Sequence, residues 1–335
     1  MKDIGDQEEA LTILSTLKSR YYVSDERDPL PVKAFRRLTS RKVPSFPRTV
    51  QIQTQTGCNA ACVFCPYPDT VDTQPKGRMP PELFEQIIDE IARHGVRRIS
   101  PYLMNEPFLD RGIIEKMQYI HKKIPDARLV LTTNGSRLTP DLVNRLVALE
   151  CIHAVYISFQ GVEKEGYEAT MRGSMVFEKT MENVLHLADR WKAAGGRDRF
   201  KLVVTMVATR LIDPEKAVAF WRERGVDSKY TPLENRGGNI GLARDISRNG
   251  MQAFSTCTRL FKQAYIMFNG DMVLCCTDYS REEVLGNIRG SSIEAVWNSP
   301  RAVQIRRDYT HGRFDRLPLC SKCEIADSTG DEEFE

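Results

Sequence analysis

The sequence has no apolar run that approaches the length needed to cross a bilayer, and no apolar secretion segment near its first methionine. It also has no marked excess of charge, because 48 Lys and Arg residues balance 45 Asp and Glu residues for a net charge of +3. Its five histidines show no metal-ligand spacing. These absences predict a cytoplasmic protein whose partner is neither a membrane nor nucleic acid.

Cysteine, in contrast, is abundant and clustered, with nine residues in a chain of 335. Three lie at Cys58, Cys62 and Cys65, five lie in the last quarter of the chain, and Cys151 stands alone. In a reducing compartment, clustered cysteines are typical of metal ligands, and an odd total fits disulfides poorly. We therefore predict metal sites at both clusters and a core position for Cys151.

The middle of the chain alternates between strand and helix patterns. Strands are predicted at 49–55, 96–104, 127–132, 152–159, 201–209 and 226–232, and a helix is predicted after each of the first five. Such alternation predicts a parallel α/β sheet with right-handed crossovers. Six units are too few for a closed eight-stranded barrel, so we expect a partial (βα)6 TIM barrel with its chemistry at the carboxyl ends of the strands.

Local signals refine this organisation. Asp110, Thr139 and Asp213 are predicted to cap helices, and residues 8–19 to form a short helix. Asn269-Gly270 predicts a type I′ hairpin between strands at 264–268 and 271–275, and a basic, loop-like stretch follows residue 298. We divide the chain into an N-terminal extension (1–47), the partial barrel (48–238) and a small C-terminal domain (239–335) that needs metal for stability.

The first cysteine motif is Cys58-Asn-Ala-Ala-Cys62-Val-Phe-Cys65, a C-x3-C-x2-C triplet that leaves the first predicted strand. Three thiolates can bind three irons of a cubane [4Fe–4S] cluster and leave the fourth iron open. Zinc sites usually have four protein ligands in paired arms, so a compact triplet without a nearby histidine fits zinc poorly.

The motif, with the aromatic Phe64 before its third cysteine, resembles the signature of the radical S-adenosylmethionine (SAM) superfamily. The resemblance implies that the open iron binds SAM, which is cleaved reductively to a 5′-deoxyadenosyl radical that abstracts hydrogen from substrate. It also implies SAM contacts from segments that end successive strands, although each segment alone is also typical of a turn. The implied contacts are Phe64 at the adenine, Asn105 and Glu106 at the amino group, and Thr133, Asn134, Ser158 and Gln160 at the ribose or methionine. Met206 on the fifth strand is either a further adenine contact or, as its apolar surroundings favour, a core residue.

The second cysteine motif consists of Cys257, Cys275 and the pair Cys320-Ser-Lys-Cys323. On spacing alone, four such cysteines are also compatible with structural zinc. With Gly270 five residues before Cys275, the pattern resembles the SPASM/twitch extension of radical SAM enzymes. Because the chain has no further cysteine after Cys323, it resembles the twitch form, which implies one auxiliary [4Fe–4S] cluster on Cys257, Cys275, Cys320 and Cys323.

An auxiliary cluster with four protein ligands has no open iron, so its natural role is electron transfer. The cysteine layout resembles that of aminocyclitol dehydrogenases within the twitch group, which implies oxidation of a sugar or aminocyclitol alcohol and an electron donor of the flavodoxin or ferredoxin type. Three alternatives remain: a radical SAM epimerase, a peptide maturase, and a non-catalytic interaction protein stabilised by zinc. The candidate catalytic residues are Glu234 and Arg236 after the sixth strand, and Cys276. Cys276 is a hydrogen-atom donor, a small buried neighbour of a ligand, or itself the ligand in place of Cys275.

Overall fold

The fold was analysed in a computed structural model that describes residues 43–254 and 257–326. The predicted helix at 8–19 and most of the N-terminal extension therefore lie outside the described residues. Within the described ranges, no helix combines the length and apolarity required to span a membrane. One large hydrophobic core lies between a mostly parallel sheet and the helices that cover it.

The six predicted barrel strands form and pair side by side in chain order, all parallel. Five of the six are shorter than their sequence patterns predicted, because pairing stops where the chain turns into loops, and the third has the predicted length but begins one residue later. Their bounds are β1 Thr49–Ile52, β2 Arg98–Ser100, β3 Arg128–Thr133, β4 Ile152–Ser158, β5 Lys201–Val207 and β6 Asp227–Thr231.

Helices occupy the crossovers, and apolar residues at helical spacing bury one face of each long helix. Their bounds are α1 Tyr67–Thr70, α2 Pro81–Arg93, α3 Ile113–Lys123, α4 Pro140–Ala148, α5 Lys164–Met171, α6 Phe177–Ala193 and α7 Pro214–Glu223. Thr139 and Asp213 cap α4 and α7 by accepting hydrogen bonds from backbone N–H groups in the first turn, as predicted. The prediction for Asp110 is wrong, because the N-cap of α3 is Gly112 and Asp110 instead accepts hydrogen bonds from the Gly112 N–H and Lys116.

Most strands of the C-terminal part join the main sheet, and two form a small sheet of their own. Its elements are α8 Ala243–Ile246, β7 Met251–Ala253, α9 Arg259–Lys262, β8 Gln263–Ile266, β9 Asp271–Val273, β10 Val284–Asn287, α10 Ile293–Trp297, α11 Pro300–Thr310, α12 Pro318–Ser321 and β11 Glu324–Ala326. β8 pairs in parallel with β1, so the main sheet has the order β10-β9-β8-β1-β2-β3-β4-β5-β6. β7 and β11 form a small antiparallel sheet of their own. Residue 238 therefore does not separate two sheets, and the domain boundary there stays a prediction.

The predicted hairpin is β8 and β9, but its turn is not type I′. A type I′ turn requires positive φ at both central residues, and of Asn269 and Gly270 only the glycine has one, at 90°. The Gly270 N–H donates to the Met267 carbonyl, so the turn closes one residue earlier and Gly270 adopts the left-handed conformation that follows it.

The basic stretch after residue 298 is also more ordered than predicted. Residues 300–310 form α11, which Ser299 caps, so the loop prediction is wrong. Arg306 is buried and donates to the carbonyls of Leu260 and Trp297, with its guanidinium over the Trp297 ring. Cys151 has only 4% of its surface exposed and lies in the main core, as predicted.

Candidate functional site

The first cysteine loop leaves the carboxyl end of β1 and is held by backbone hydrogen bonds to two neighbouring segments. The Glu106 N–H donates to the Gly57 carbonyl at 2.9 Å, just before Cys58. On the other side, the Val63 N–H donates to the Thr170 carbonyl at 2.9 Å. The loop conformation is thus fixed by segments 50 to 110 residues further along the chain.

Gly173 is the closest of these supports. It bridges to Ala60, and a Cβ atom at Gly173 would lie 2.8 Å from both the Ala61 nitrogen and the Asn59 carbonyl oxygen. Its φ of 76° also favours glycine. The sequence does not reveal this support, because a glycine that follows a helix is also a common helix terminator.

The three thiols of this loop are half-buried and influence one another electrostatically. Burial raises the pKa of Cys58 to about 12 and also raises the pKa of Cys62. A thiolate is therefore costly here unless a bound cation compensates for it, which is what an iron centre supplies. The three side chains fit a cluster that each of them binds through one sulfur.

Glu106 organises the carboxyl edge of the sheet next to this loop. The Thr133 hydroxyl donates to one of its carboxylate oxygens at 2.6 Å, and the Asn134 N–H donates to the other at 2.9 Å. Asn134 in turn donates through its side chain to the Asn59 side chain at 3.1 Å, inside the cysteine loop. Burial raises the pKa of Glu106 to about 7 despite these hydrogen bonds.

Two of the predicted SAM contacts present buried polar groups that lack a partner among the described residues. Gln160 is fully buried, and although its carbonyl oxygen accepts a hydrogen bond from the Val207 N–H, its amide nitrogen has no partner. The amide nitrogen of Asn105 is also buried without a partner. Because an unpaired buried donor is costly, both fit a polar ligand such as SAM.

The remaining predicted SAM residues lie along the same edge. Phe64 has 7% of its surface exposed and belongs to the main core, and Met206 is 1% exposed. Ser158 ends β4, two residues before Gln160. Thr133 and Asn134 form the hydrogen bonds to Glu106 and Asn59 described above. The contact of each of these residues with SAM stays a prediction.

The second set of cysteines comes together from three parts of the chain. Cys257 precedes α9, Cys275 follows β9, and Cys320 and Cys323 flank the end of α12. Cys275 belongs to a small hydrophobic cluster that includes Leu260, Leu274 and Tyr309, and Cys257 and Cys320 pack against this cluster. Cys257, Cys320 and Cys323 each interact electrostatically with Cys275. The arrangement fits four cluster ligands.

Cys275 and Cys276 have different surroundings. The Cys276 thiol donates a hydrogen bond to the Cys275 sulfur. This hydrogen bond, the charge of Arg259 and the hydrogen bonds from Thr277 lower the pKa of Cys275 to about 5. This lowering favours Cys275 over Cys276 as the cluster ligand, an assignment that stays a prediction. Cys276 also packs against a second small cluster that contains Tyr265, and it lies near Tyr279 and Arg236.

Glu234 and Arg236, the candidates after β6, lie beside these cysteines. Arg259 donates to both carboxylate oxygens of Glu234, at 2.5 and 3.1 Å. Burial alone would raise the pKa of Glu234, but the charges of Arg259 and Arg236 outweigh it and lower the pKa. Arg236 has a φ of 55°, which is uncommon for a residue with a side chain, and its charge lies near Cys276 and Tyr279. Glu234 is therefore a poor proton acceptor.

All nine cysteines are free thiols. In the described parts of the chain, no three His, Cys, Asp or Glu side chains converge on a point that could bind one metal ion. A cubane does not require such convergence, because each thiolate binds a different iron.

Comparison with known proteins identifies both cysteine regions. Residues 52–218 match the radical SAM superfamily, and residues 257–324 match the SPASM family, an iron–sulfur cluster-binding domain. The chain is 23% identical over 287 residues to the S-adenosyl-L-methionine-dependent 2-deoxy-scyllo-inosamine dehydrogenase of Niallia circulans, a match that covers 85% of this chain and 96% of that protein.

Solved structures share the fold. BtrN in complex with AdoMet and 2-DOIA has a TM-score of 0.58 at 19% identity, with 82% of this chain and 92% of that chain covered. Streptococcus suis SuiB bound to precursor peptide SuiA has a TM-score of 0.62 at 16% identity, with 90% of this chain and 78% of that chain covered. At these identities the likeness concerns the fold alone.

The two family matches cover more than half of the chain and include all seven predicted cluster ligands. They confirm SAM and two [4Fe–4S] clusters as the cofactors, and they confirm the α/β fold with an iron–sulfur domain at its C-terminal end. The alternative of a non-catalytic, zinc-stabilised protein is therefore wrong. The chain belongs to the radical SAM superfamily and is an oxidoreductase that carries a SPASM iron–sulfur cluster-binding domain.

Proposed function

We propose that this enzyme dehydrogenates an alcohol carbon of a sugar or aminocyclitol. The observation that supports the proposal is that Cys257, Cys320 and Cys323 each interact electrostatically with Cys275, so four cysteines are available as ligands of the auxiliary cluster. A cluster ligated in this way has no iron left for substrate, so it can accept an electron but cannot bind the alcohol. The similarity to a dehydrogenase over 96% of that protein's length supports the same reaction class.

When bound, SAM and its cluster supply hydrogen-atom abstraction, and the auxiliary cluster supplies the acceptor for the second electron. The protein must then orient the alcohol and provide for loss of its proton. Arg236 is the candidate for orienting the oxygen atom, because its charge lies beside Cys276 and Tyr279, between the two cysteine sites. Glu234 fixes Arg259 rather than taking the proton, since both of its carboxylate oxygens accept hydrogen bonds from that guanidinium.

The test is turnover of the anaerobically reconstituted enzyme with SAM, a strong reductant and a panel of polyols, sugars and aminocyclitols in D₂O. A dehydrogenase gives a ketone or aldehyde that has lost two hydrogen atoms, together with 5′-deoxyadenosine. An Arg236→Met variant should raise KM and lower kcat for the alcohol while uncoupled SAM cleavage continues. SAM cleavage without oxidation of any alcohol in the panel would contradict the proposal.

Epimerisation of the same substrates is the second candidate, and the position of Cys276 favours it. This thiol donates to Cys275 but also packs beside Tyr279, so one of its sides faces away from the auxiliary ligands. A hydrogen atom donated from there would leave a product of unchanged mass in H₂O that carries one solvent deuterium in D₂O. A Cys276→Ala variant would then convert the enzyme from epimerisation to slow formation of oxidised product.

A peptide substrate is a further possibility among these enzymes, since the SuiB structure contains a precursor peptide. Nothing in the described residues of this chain favours a peptide over a small alcohol. Including short peptides in the substrate panel distinguishes the two, because a crosslinked peptide also loses two hydrogen atoms but contains no new carbonyl group.

A further inference from the structure

One short segment of the C-terminal region touches a ligand of each cluster. The segment is residues 275–279, Cys-Cys-Thr-Asp-Tyr, which follows β9. The Thr277 hydroxyl donates to the Cys275 sulfur at 3.2 Å, on the auxiliary side. The Tyr279 hydroxyl lies 3.6 Å from the sulfur of Cys65, a ligand of the SAM-binding cluster. Two hydroxyl groups two residues apart thus reach two different clusters.

The direction of each hydrogen bond follows from the chemistry of a ligand. A cysteine that binds iron is a thiolate, so its sulfur has no proton and can only accept. Tyr279 and Thr277 are then the donors. Thr277 is 2% exposed and Tyr279 is half-buried, so water has limited access to either hydrogen bond.

The turn that carries both hydroxyls is held in place. The Asp278 carboxylate is fully buried and accepts hydrogen bonds from the N–H groups of Glu282 and Glu283, at 2.8 and 3.0 Å. The Tyr279 N–H donates to the Thr277 carbonyl at 2.9 Å, and Asn239 donates to the same carbonyl at 3.3 Å. The two hydroxyls are therefore positioned by a fixed backbone.

We propose that Tyr279 and Thr277 are positioning residues that tune the two clusters separately, Tyr279 through Cys65 and Thr277 through Cys275. A hydrogen bond to a ligating sulfur draws electron density from the cluster and stabilises its reduced, more negative state. Each hydroxyl thus raises the reduction potential of its own cluster. The inference rests on the cluster ligands and does not depend on the substrate or on the reaction that the enzyme catalyses.

The experiment is a potentiometric titration of the substrate-free holoenzyme, followed by EPR, on Tyr279→Phe and Thr277→Val. Both variants keep the shape of the side chain and remove the hydroxyl. The SAM-binding cluster is identified as the one whose EPR signal changes when SAM is added. Tyr279→Phe should lower the potential of that cluster alone, and Thr277→Val that of the auxiliary cluster alone. The expected shift corresponds to a change of up to about tenfold in the oxidised-to-reduced ratio at fixed potential, or 59 mV for one electron.

Ser280→Ala is the matched control. Ser280 comes directly after the segment, and its hydroxyl donates to the Asn239 side chain at 2.7 Å rather than to either sulfur. Both potentials should stay at their wild-type values in this variant. The proposal is overturned if Tyr279→Phe and Thr277→Val leave the potentials unchanged, or if each of them shifts the potentials of both clusters.

A second measurement covers the case in which Tyr279→Phe loses a cluster. 3-Fluorotyrosine placed at position 279 alone keeps the phenol and makes it a stronger donor. The potential of the SAM-binding cluster should then rise while iron and sulfide contents stay at their wild-type values. A potential that stays constant or falls would overturn the role of Tyr279.

Discussion

The two cysteine sites are built in different ways. The predicted ligands of the SAM-binding site lie in a single loop of eight residues, which backbone hydrogen bonds connect to the segments around Glu106 and Thr170. The four predicted ligands of the auxiliary site come from three separated segments, which side chains such as Arg259 and Tyr309 hold near a small hydrophobic cluster. A local motif is therefore sufficient to identify the first site, whereas the second exists only once the chain has folded.

The largest expected effect separates the roles of the two sites. Replacing Cys58, Cys62 and Cys65 with Ala should abolish 5′-deoxyadenosine formation, because SAM then has no cluster to bind. Replacing Cys320 and Cys323 with Ala should leave SAM cleavage detectable but stop product formation. Chromatographic quantification of 5′-deoxyadenosine and product checks both results, and iron analysis should show one cluster lost in each variant. If the Cys320 and Cys323 variant still formed product at the wild-type rate, the two sites would not have the separate roles proposed here.

Gly173→Ala tests whether the backbone contacts hold the first site. The added Cβ atom would lie 2.8 Å from two backbone atoms of the cysteine loop, and φ is 76°. We expect the free energy of unfolding to fall by about 2 kcal/mol or more, because left-handed strain and steric overlap add. Iron in the SAM-binding cluster should fall with it.

Gly290→Ala is the control for this change, since a Cβ atom at Gly290 meets nothing within 4 Å. Its unfolding and iron content should match those of the wild-type protein. If both variants keep their iron equally well, the contact between Gly173 and the cysteine loop has no role in holding the site.

Glu234→Gln tests the side chains that hold the second site. The change leaves Arg259 without its charged partner in a mostly buried position, which should lower the free energy of unfolding by about 2 kcal/mol, between the values for buried and exposed pairs. Because folding lowers the pKa of Glu234, its stabilisation is present above the pKa of the unfolded carboxyl and is lost as the pH falls through the folded value. Wild-type stability should thus drop more steeply in acid than that of the variant. Denaturant unfolding at several pH values measures both.

The smallest expected effect concerns the pH dependence of SAM binding. Burial raises the pKa of Glu106 to about 7, so the carboxyl becomes protonated as the pH falls below that value. If it pairs with the amino group of SAM, protonation removes the attraction, and SAM should bind about tenfold more weakly for each pH unit below 7. Equilibrium binding of SAM to the reconstituted enzyme tests this. Glu106→Gln should bind weakly at every pH, and an unchanged pH profile in that variant would contradict the assignment.

Much of the fold could be predicted because its signals are local. The apolar spacing of α2, with Leu83, Ile87 and Ile91 on one face, and the Thr139-Pro140 start of α4 depend on neighbouring residues only. Two errors came from contacts beyond the local window. The turn at Gly270 is set by the register of β8 against β9, and α11 is stabilised by Arg306, which reaches Leu260 and Trp297.

The sequence by itself determined that this protein binds SAM through a three-cysteine cluster on a parallel α/β scaffold, since three ligands within eight residues define that site locally. Only the tertiary structure decided that β8 joins the sheet beside β1, that Gly173 supports the cysteine loop, and that Tyr279 lies against Cys65, 214 residues away. These contacts depend on how the strands pair and how the side chains pack. The spacing of residues along the sequence does not predict these long-range contacts.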